Sequence, residues 1–126
     1  WFPPSKPGAG QPGFGYSVQV EPEFEFYAAY LYDGQGNPRW LLANRGGFDG
    51  AAEVIAIEQF SNGPCPACVD SGQQPTPRTR VGSLRRVFSG TSLTEIEVAA
   101  TLSQPLVGQW LESLPVARLS DPKTCP

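Results

Sequence analysis

The stretch Tyr30-Leu31-Tyr32-Asp33-Gly34-Gln35-Gly36-Asn37-Pro38-Arg39-Trp40-Leu41-Leu42 constrains the fold more than any other. Apolar and aromatic residues flank a short run of turn formers. Gly34 and Gly36 can take positive φ, and Asp33 and Asn37 can hydrogen-bond their own backbone, so the chain reverses here at small cost. Turn chemistry between two apolar runs predicts a β-hairpin. The punctuation of the whole chain agrees. Glycine and proline number 14 each in 126 residues, a frequency that suits short strands and loops rather than a helical bundle.

Alternating apolar residues extend this reading in both directions. Tyr16, Val18 and Val20 share one strand face, and Phe24 to Tyr32 continues as a long aromatic strand with Phe24, Phe26, Ala28, Tyr30 and Tyr32 on one side. Arg39 to Asn44 returns after the hairpin. Ala51 to Phe60 reads as a strand buried on both faces, with a short helix as the alternative. Gly82 to Phe88 places Leu84, Arg86 and Phe88 opposite Ser83, Arg85 and Val87. Leu93 to Leu102 alternates with Ile96, Val98, Ala100 and Leu102 on one side, although Ser92 and Glu95 also match a helix capping box. Two short apolar pieces follow, at Gln109–Leu111 and Val116–Leu119. Seven or eight strands in succession predict an all-β domain, either an antiparallel β-sandwich or an up-and-down β-barrel. A chain of this length forms one domain that buries roughly two-thirds of its unfolded surface. The expected organisation is a Pro/Gly-rich arm over residues 1–15, then a β domain over 16–126 with a long cysteine-containing loop at 61–80.

Several of these pieces, in order, resemble a family of small β domains in secreted proteins of Gram-negative bacteria. They are Trp1-Phe2 with Pro4, Gly13-Phe14-Gly15-Tyr16-Ser17-Val18 with Val20, and Tyr30, Tyr32-Asp33, Gly36, Pro38 and Trp40-Leu41. Val116-Ala117-Arg118-Leu119 closes the set. The segment Lys6–Pro12 is longer than the corresponding connection in that family. The resemblance implies a β fold and a secreted location; it implies no catalytic residue.

The chemistry open to the chain is narrow. There is no histidine, which removes Ser–His–Asp and Cys–His catalysis and the usual zinc enzymes. Carboxylates remain: Glu21, Glu23 and Glu25 alternate, as do Glu95 and Glu97, yet a glycosidase needs two such groups facing each other across roughly 5 to 9 Å. A solvated strand face that discourages edge aggregation explains them as well. The Asp33 loop has Pro38 and Asn44 where an EF-hand needs glycine and glutamate, so it reads as a turn. The expectation is a protein that is not an enzyme and holds no cofactor or metal. A net charge of −3 argues against a nucleic-acid partner, and no apolar run approaches the roughly 20 residues of a membrane span.

Cysteine usage points outside the cytoplasm. Cys65 and Cys68 flank Pro66-Ala67 in a loop and are candidates for a disulfide, with Cys125 either a partner or free. An odd cysteine in a secreted chain hints at bonding between chains. Arg78, Arg80, Arg85 and Arg86 form a basic cluster that could meet acidic groups on a partner or on another copy. Trp1 and Phe2 would be costly to leave in water and are expected to dock on this domain or on a neighbour. Exposed members of the set Trp1, Phe2, Tyr27, Trp40 and Trp110 could stack on sugar rings or on protein, although alternation assigns most such rings to the core. Two functions compete. The first is a non-catalytic structural or assembly protein of the cell surface or a filament, with the arm as its main contact. The second is a carbohydrate- or small-ligand-binding module.

Overall fold

The computed structural model describes Trp1, residues 15–48, 54–61, Ala67 and residues 77–118. Seven strands follow one another: β1 (Gly15–Glu21), β2 (Phe24–Tyr32), β3 (Pro38–Gly46), β4 (Val54–Phe60), β5 (Arg78–Ser89), β6 (Ser92–Leu102) and β7 (Gly108–Pro115). Each pairs antiparallel with the next, in the order β1-β2-β3-β4-β5-β6-β7, as one curled sheet that makes a half-barrel. The domain is therefore all-β, and the single curled sheet sets the two-sheet sandwich aside. Among the described residues no helix is long and apolar enough to cross a membrane.

Both segments with a helical alternative are strands over their described residues, with 51–53 outside them. In Leu93–Leu102, Ile96, Val98 and Ala100 are buried on the inner side at a spacing of two, and Leu93 joins them across the register shift at Val87/Phe88. Of the two pieces expected after β6, the first grows into β7, continuous from Gly108 to Pro115; in the second Ala117 makes an isolated bridge, and Leu119 lies outside the described residues. β5 begins four residues earlier than its alternation suggests, because Arg78, Thr79 and Arg80 pair with Phe60, Gln59 and Glu58.

The core fills the concave side. Tyr16 from β1, Tyr27 and Ala29 from β2, Leu41 and Ala43 from β3, and Ile55 and Ile57 from β4 meet Leu84, Ile96, Val98 and Trp110. A void of about 10 Å³ among Tyr27, Ala29, Leu41, Ile57, Leu84 and Trp110 has room for about one water and is far below the size of a ligand pocket. Side chains fill this part of the interior, as in other small barrels. One end is closed by the β6–β7 loop, where the Gln59 side-chain amide donates to the Ser103 carbonyl at 2.6 Å and its oxygen accepts the Ser103 N–H at 3.0 Å. That anchorage seats Leu106 of the same loop in the core.

β2 is turned over relative to its apolar count. Its inner residues are Glu25, Tyr27 and Ala29, so the aromatic side carrying Phe24, Tyr30 and Tyr32 faces outward. The cause is a buried ion pair. Arg86 of β5 donates from Nε to Glu25 Oε2 at 2.9 Å and from Nη2 to Oε1 at 2.5 Å, and both side chains are fully buried. The Tyr27 hydroxyl adds a third donor at 2.8 Å. Phe48 covers this group, its ring edge-on to Phe88 at 5.1 Å with the Arg86 guanidinium 6.0 Å away. Fully bonded charge can sit inside a core where an unpaired one could not.

Candidate functional site

Turning β2 over creates the most conspicuous surface of the molecule. On its convex side, Tyr30 lies directly opposite Trp40 and Tyr32 opposite Pro38. Trp40 is 56% exposed, Tyr30 51% and Tyr32 49%, far more than aromatic rings on a core face. Phe24 stands exposed at the other end of the strand, and Val54 of β4 is exposed on the same convex side. Between them, Phe26 and Leu42 are half-buried and Ala28 is buried by its neighbours. The nine residues of β2 carry this apolar strip over about 30 Å.

The hairpin beside it is rigidly built. Asp33 Oδ1 accepts the Gln35 and Asn37 N–H groups, each at 2.9 Å, while Oδ2 accepts Arg39 Nη2 at 2.9 Å and Nε at 3.1 Å. Gly36 supplies the left-handed residue, with φ +83°. Foremost the Asn37 N–H, against an opposing effect of burial, and then Arg39 and the Gln35 N–H hold the Asp33 carboxyl down at about 2. Because this value lies below the roughly 3.9 of an unfolded aspartate, the carboxylate stabilises the fold above that pH and the effect is lost as pH falls through about 2. The Gln35 and Asn37 amide resonances should therefore hold their positions down to about pH 3 and shift together near pH 2. A shift centred near 4 would show that these bonds do not persist in solution. Both Asp33 oxygens accept donors from its own hairpin, the bonding of a side-chain-braced turn. Among the described residues no group of three or more acidic, cysteine or histidine side chains is placed to hold a metal.

The basic cluster does not form one surface. Arg86 is a correction: it points inward, on the Leu84 face, and is spent on Glu25. Arg85 pairs on the outer face with Glu97 at 3.2 Å, and Arg78 lies 3.7 Å from Glu58 of the neighbouring strand. Arg80 is exposed two register positions from Arg78, opposite Glu58. Acidic groups within the same sheet thus take up much of the charge that sequence offered to a partner. The two glutamate sets also separate, since Glu25 is inside while Glu95 and Glu97 alternate with the inward Ile96 and Val98. Glu95 accepts the Ser113 hydroxyl at 2.7 Å.

Trp1 docks on its own domain. Its nitrogen donates to the Tyr16 carbonyl at 2.9 Å and its carbonyl accepts the Tyr16 N–H at 2.8 Å, an antiparallel pair on the outer edge of β1. Gly15 permits the approach, because a Cβ there would stand 2.9 Å from the Trp1 carbonyl oxygen. The ring packs against the core cluster with the Arg118 guanidinium 5.0 Å from its centre. Burial, and next the negative charge of Glu112 on β7, push the Tyr16 phenol pKa up. Tyr27 and Trp110 are core residues, so of the candidate stacking rings Trp40 stands exposed. Phe2, Cys65, Cys68 and Cys125 lie outside the described residues, as does most of the 61–80 loop.

Sequence reasoning missed Tyr30 and Tyr32 as surface residues. Their signal was Glu25, whose parity with Tyr27 assigns the opposite face of β2 to the outside only once Arg86 is known to meet it. Comparison with family models, with curated proteins and with solved structures finds no match to this chain.

Proposed function

We propose that the domain is a non-catalytic structural or assembly protein of an extracytoplasmic compartment, and that it associates through the convex aromatic face of β2 and β3. The observation that carries the reading is the Tyr30–Trp40 cross-strand pair, half-exposed on an apolar strip as long as β2. Tyrosine, tryptophan and phenylalanine are the residues enriched in the cores of protein interfaces. The length of the strip fits a protein surface better than one sugar ring. Support from complementary Arg and Glu patches is weakened, since Arg85–Glu97 and Arg78–Glu58 lie within one sheet. Trp1 likewise serves its own domain, so the contact moves from the arm to the sheet.

Light scattering and negative-stain microscopy across a concentration series test this. Association is expected, and Trp40→Ala with Tyr30→Ser should weaken it at least tenfold, roughly the effect of removing an interface anchor. Because about half of each ring is in solvent, the same change should alter monomer stability by about 1 kcal/mol. A wild-type chain that stays monomeric at every concentration overturns the reading. The second reading, carbohydrate binding, rests on the same Tyr30–Trp40 pair, whose flat rings could stack on a sugar. A glycan array signal abolished by Trp40→Ala would favour it.

A further inference from the structure

The Trp1–Tyr16 pairing reveals a second surface, which does not depend on the aromatic face. In an antiparallel strand, alternate residues direct both backbone groups to the same neighbour. Tyr16 directs its N–H and C=O outward to Trp1, so Val18 and Val20 direct theirs to the same outer edge of β1, and the β1–β2 register runs without a bulge from Gly15 to Glu21. Among the described residues nothing pairs with these groups. The Val18 and Val20 side chains are nonetheless half-buried against the core, so the edge is a preformed, partly desolvated ladder.

We propose that the β1 edge at Val18 and Val20 accepts an extended segment of a partner polypeptide, running antiparallel to β1 in line with Trp1. Main-chain bonds supply affinity in such strand addition, and alternate side chains supply selectivity. Residues opposite Val18 and Val20 point inward, beside valines that already touch the core, and are therefore apolar. Residues on the other parity point outward beside Gln19, Glu21 and the turn residue Glu23, all exposed. The fitting segment thus alternates apolar with basic residues, because opposite charges across a ladder stabilise it and like charges oppose it. Trp1 fixes the register and covers one end of the edge, a common way to protect a strand from indiscriminate pairing.

Amide hydrogen exchange of the ¹⁵N-labelled chain tests the proposal, with an end-blocked hexapeptide of alternating valine and lysine as probe. Excess peptide is expected to slow exchange at Val18 and Val20 by about tenfold, a local protection that leaves the core strands unchanged. The same peptide N-methylated at its valines keeps its charge and side chains but loses the donors that face β1, and should give no slowing. Glu21→Lys, an exposed change that spares the fold, should weaken the probe by about threefold or more. Protection of both amides without peptide overturns the proposal, with concentration dependence then identifying a second copy as the occupant and its absence this chain itself. Equal slowing by the N-methylated peptide overturns it too, and equal binding to Glu21→Lys overturns the basic preference.

Discussion

Replacing Arg86 by methionine is expected to destabilise the domain by about 3–5 kcal/mol, the usual cost of breaking a buried ion pair from one side. Methionine fills similar space, so the loss reports charge rather than volume. Without the guanidinium, Glu25 keeps the Tyr27 hydroxyl as a donor to a carboxylate fully removed from water. The pair joins β2 to β5, with β3 and β4 between them in the sheet, and so ties together strands that are not neighbours. It acts across the concave side and helps fix how tightly the sheet curls. A double variant, Glu25→Leu with Arg86→Met, should recover most of the loss, because a well-packed apolar pair is often as stable as a buried ionic one. Urea unfolding of the four members of the cycle should give a coupling of about 2 kcal/mol or more. An Arg86→Met chain within 1 kcal/mol of wild type would show that the pair is not formed in solution.

How much of this was legible in the sequence depends on the range of the physics involved. Period-two alternation is local, and it placed Tyr16, Val18 and Val20 on one face of β1 and Leu84, Arg86 and Phe88 on one face of β5. In β2 the same rule separates two parities without saying which is inner, and the solvated face expected for Glu21, Glu23 and Glu25 fails at Glu25. Five apolar or aromatic residues share one parity, yet Glu25, Tyr27, Ala29 and Leu31 on the other face inward. Glu25 can sit inside only because Arg86 arrives from 61 residues away, and no window along the chain contains both. An arginine aligned with Leu84 and Phe88 was itself a sign that a buried acid had to exist. The sequence also grouped Arg78, Arg80, Arg85 and Arg86 by proximity, whereas strand parity sends one of them inside and its neighbour to Glu97. The candidate surface follows from the inward turn of Glu25: the aromatic parity of β2 becomes the convex face on which the proposed function rests.

Gly82→Ala is expected to cost about 3 kcal/mol or more, above most changes that add one methyl group to a packed interior. Gly82 pairs with Ile57 on one side and Ala100 on the other, next to the register shift at Ile57/Glu58. A Cβ built there would overlap the Ala99 carbonyl oxygen and stand 2.5 Å from the Ala100 Cα and 2.8 Å from its Cβ. These are chiefly backbone atoms within a ladder, so no flexible side chain can swing away to make room. Relief requires β5 and β6 to part, which breaks pairing at the strand pair that carries the sheet round towards β7. Gly34→Ala is the control, since nothing lies within 4 Å of a Cβ at that position and the hairpin loop is exposed. It should leave stability within about 0.5 kcal/mol of wild type. Chemical denaturation measures both, and amide exchange at Val116, whose N–H donates to the Thr94 carbonyl at 2.9 Å, reports whether the β6–β7 side loosens with it. If Gly82→Ala unfolds with the wild-type midpoint, β5 and β6 can separate without penalty, and the close approach at Gly82 does not determine the curl of the sheet.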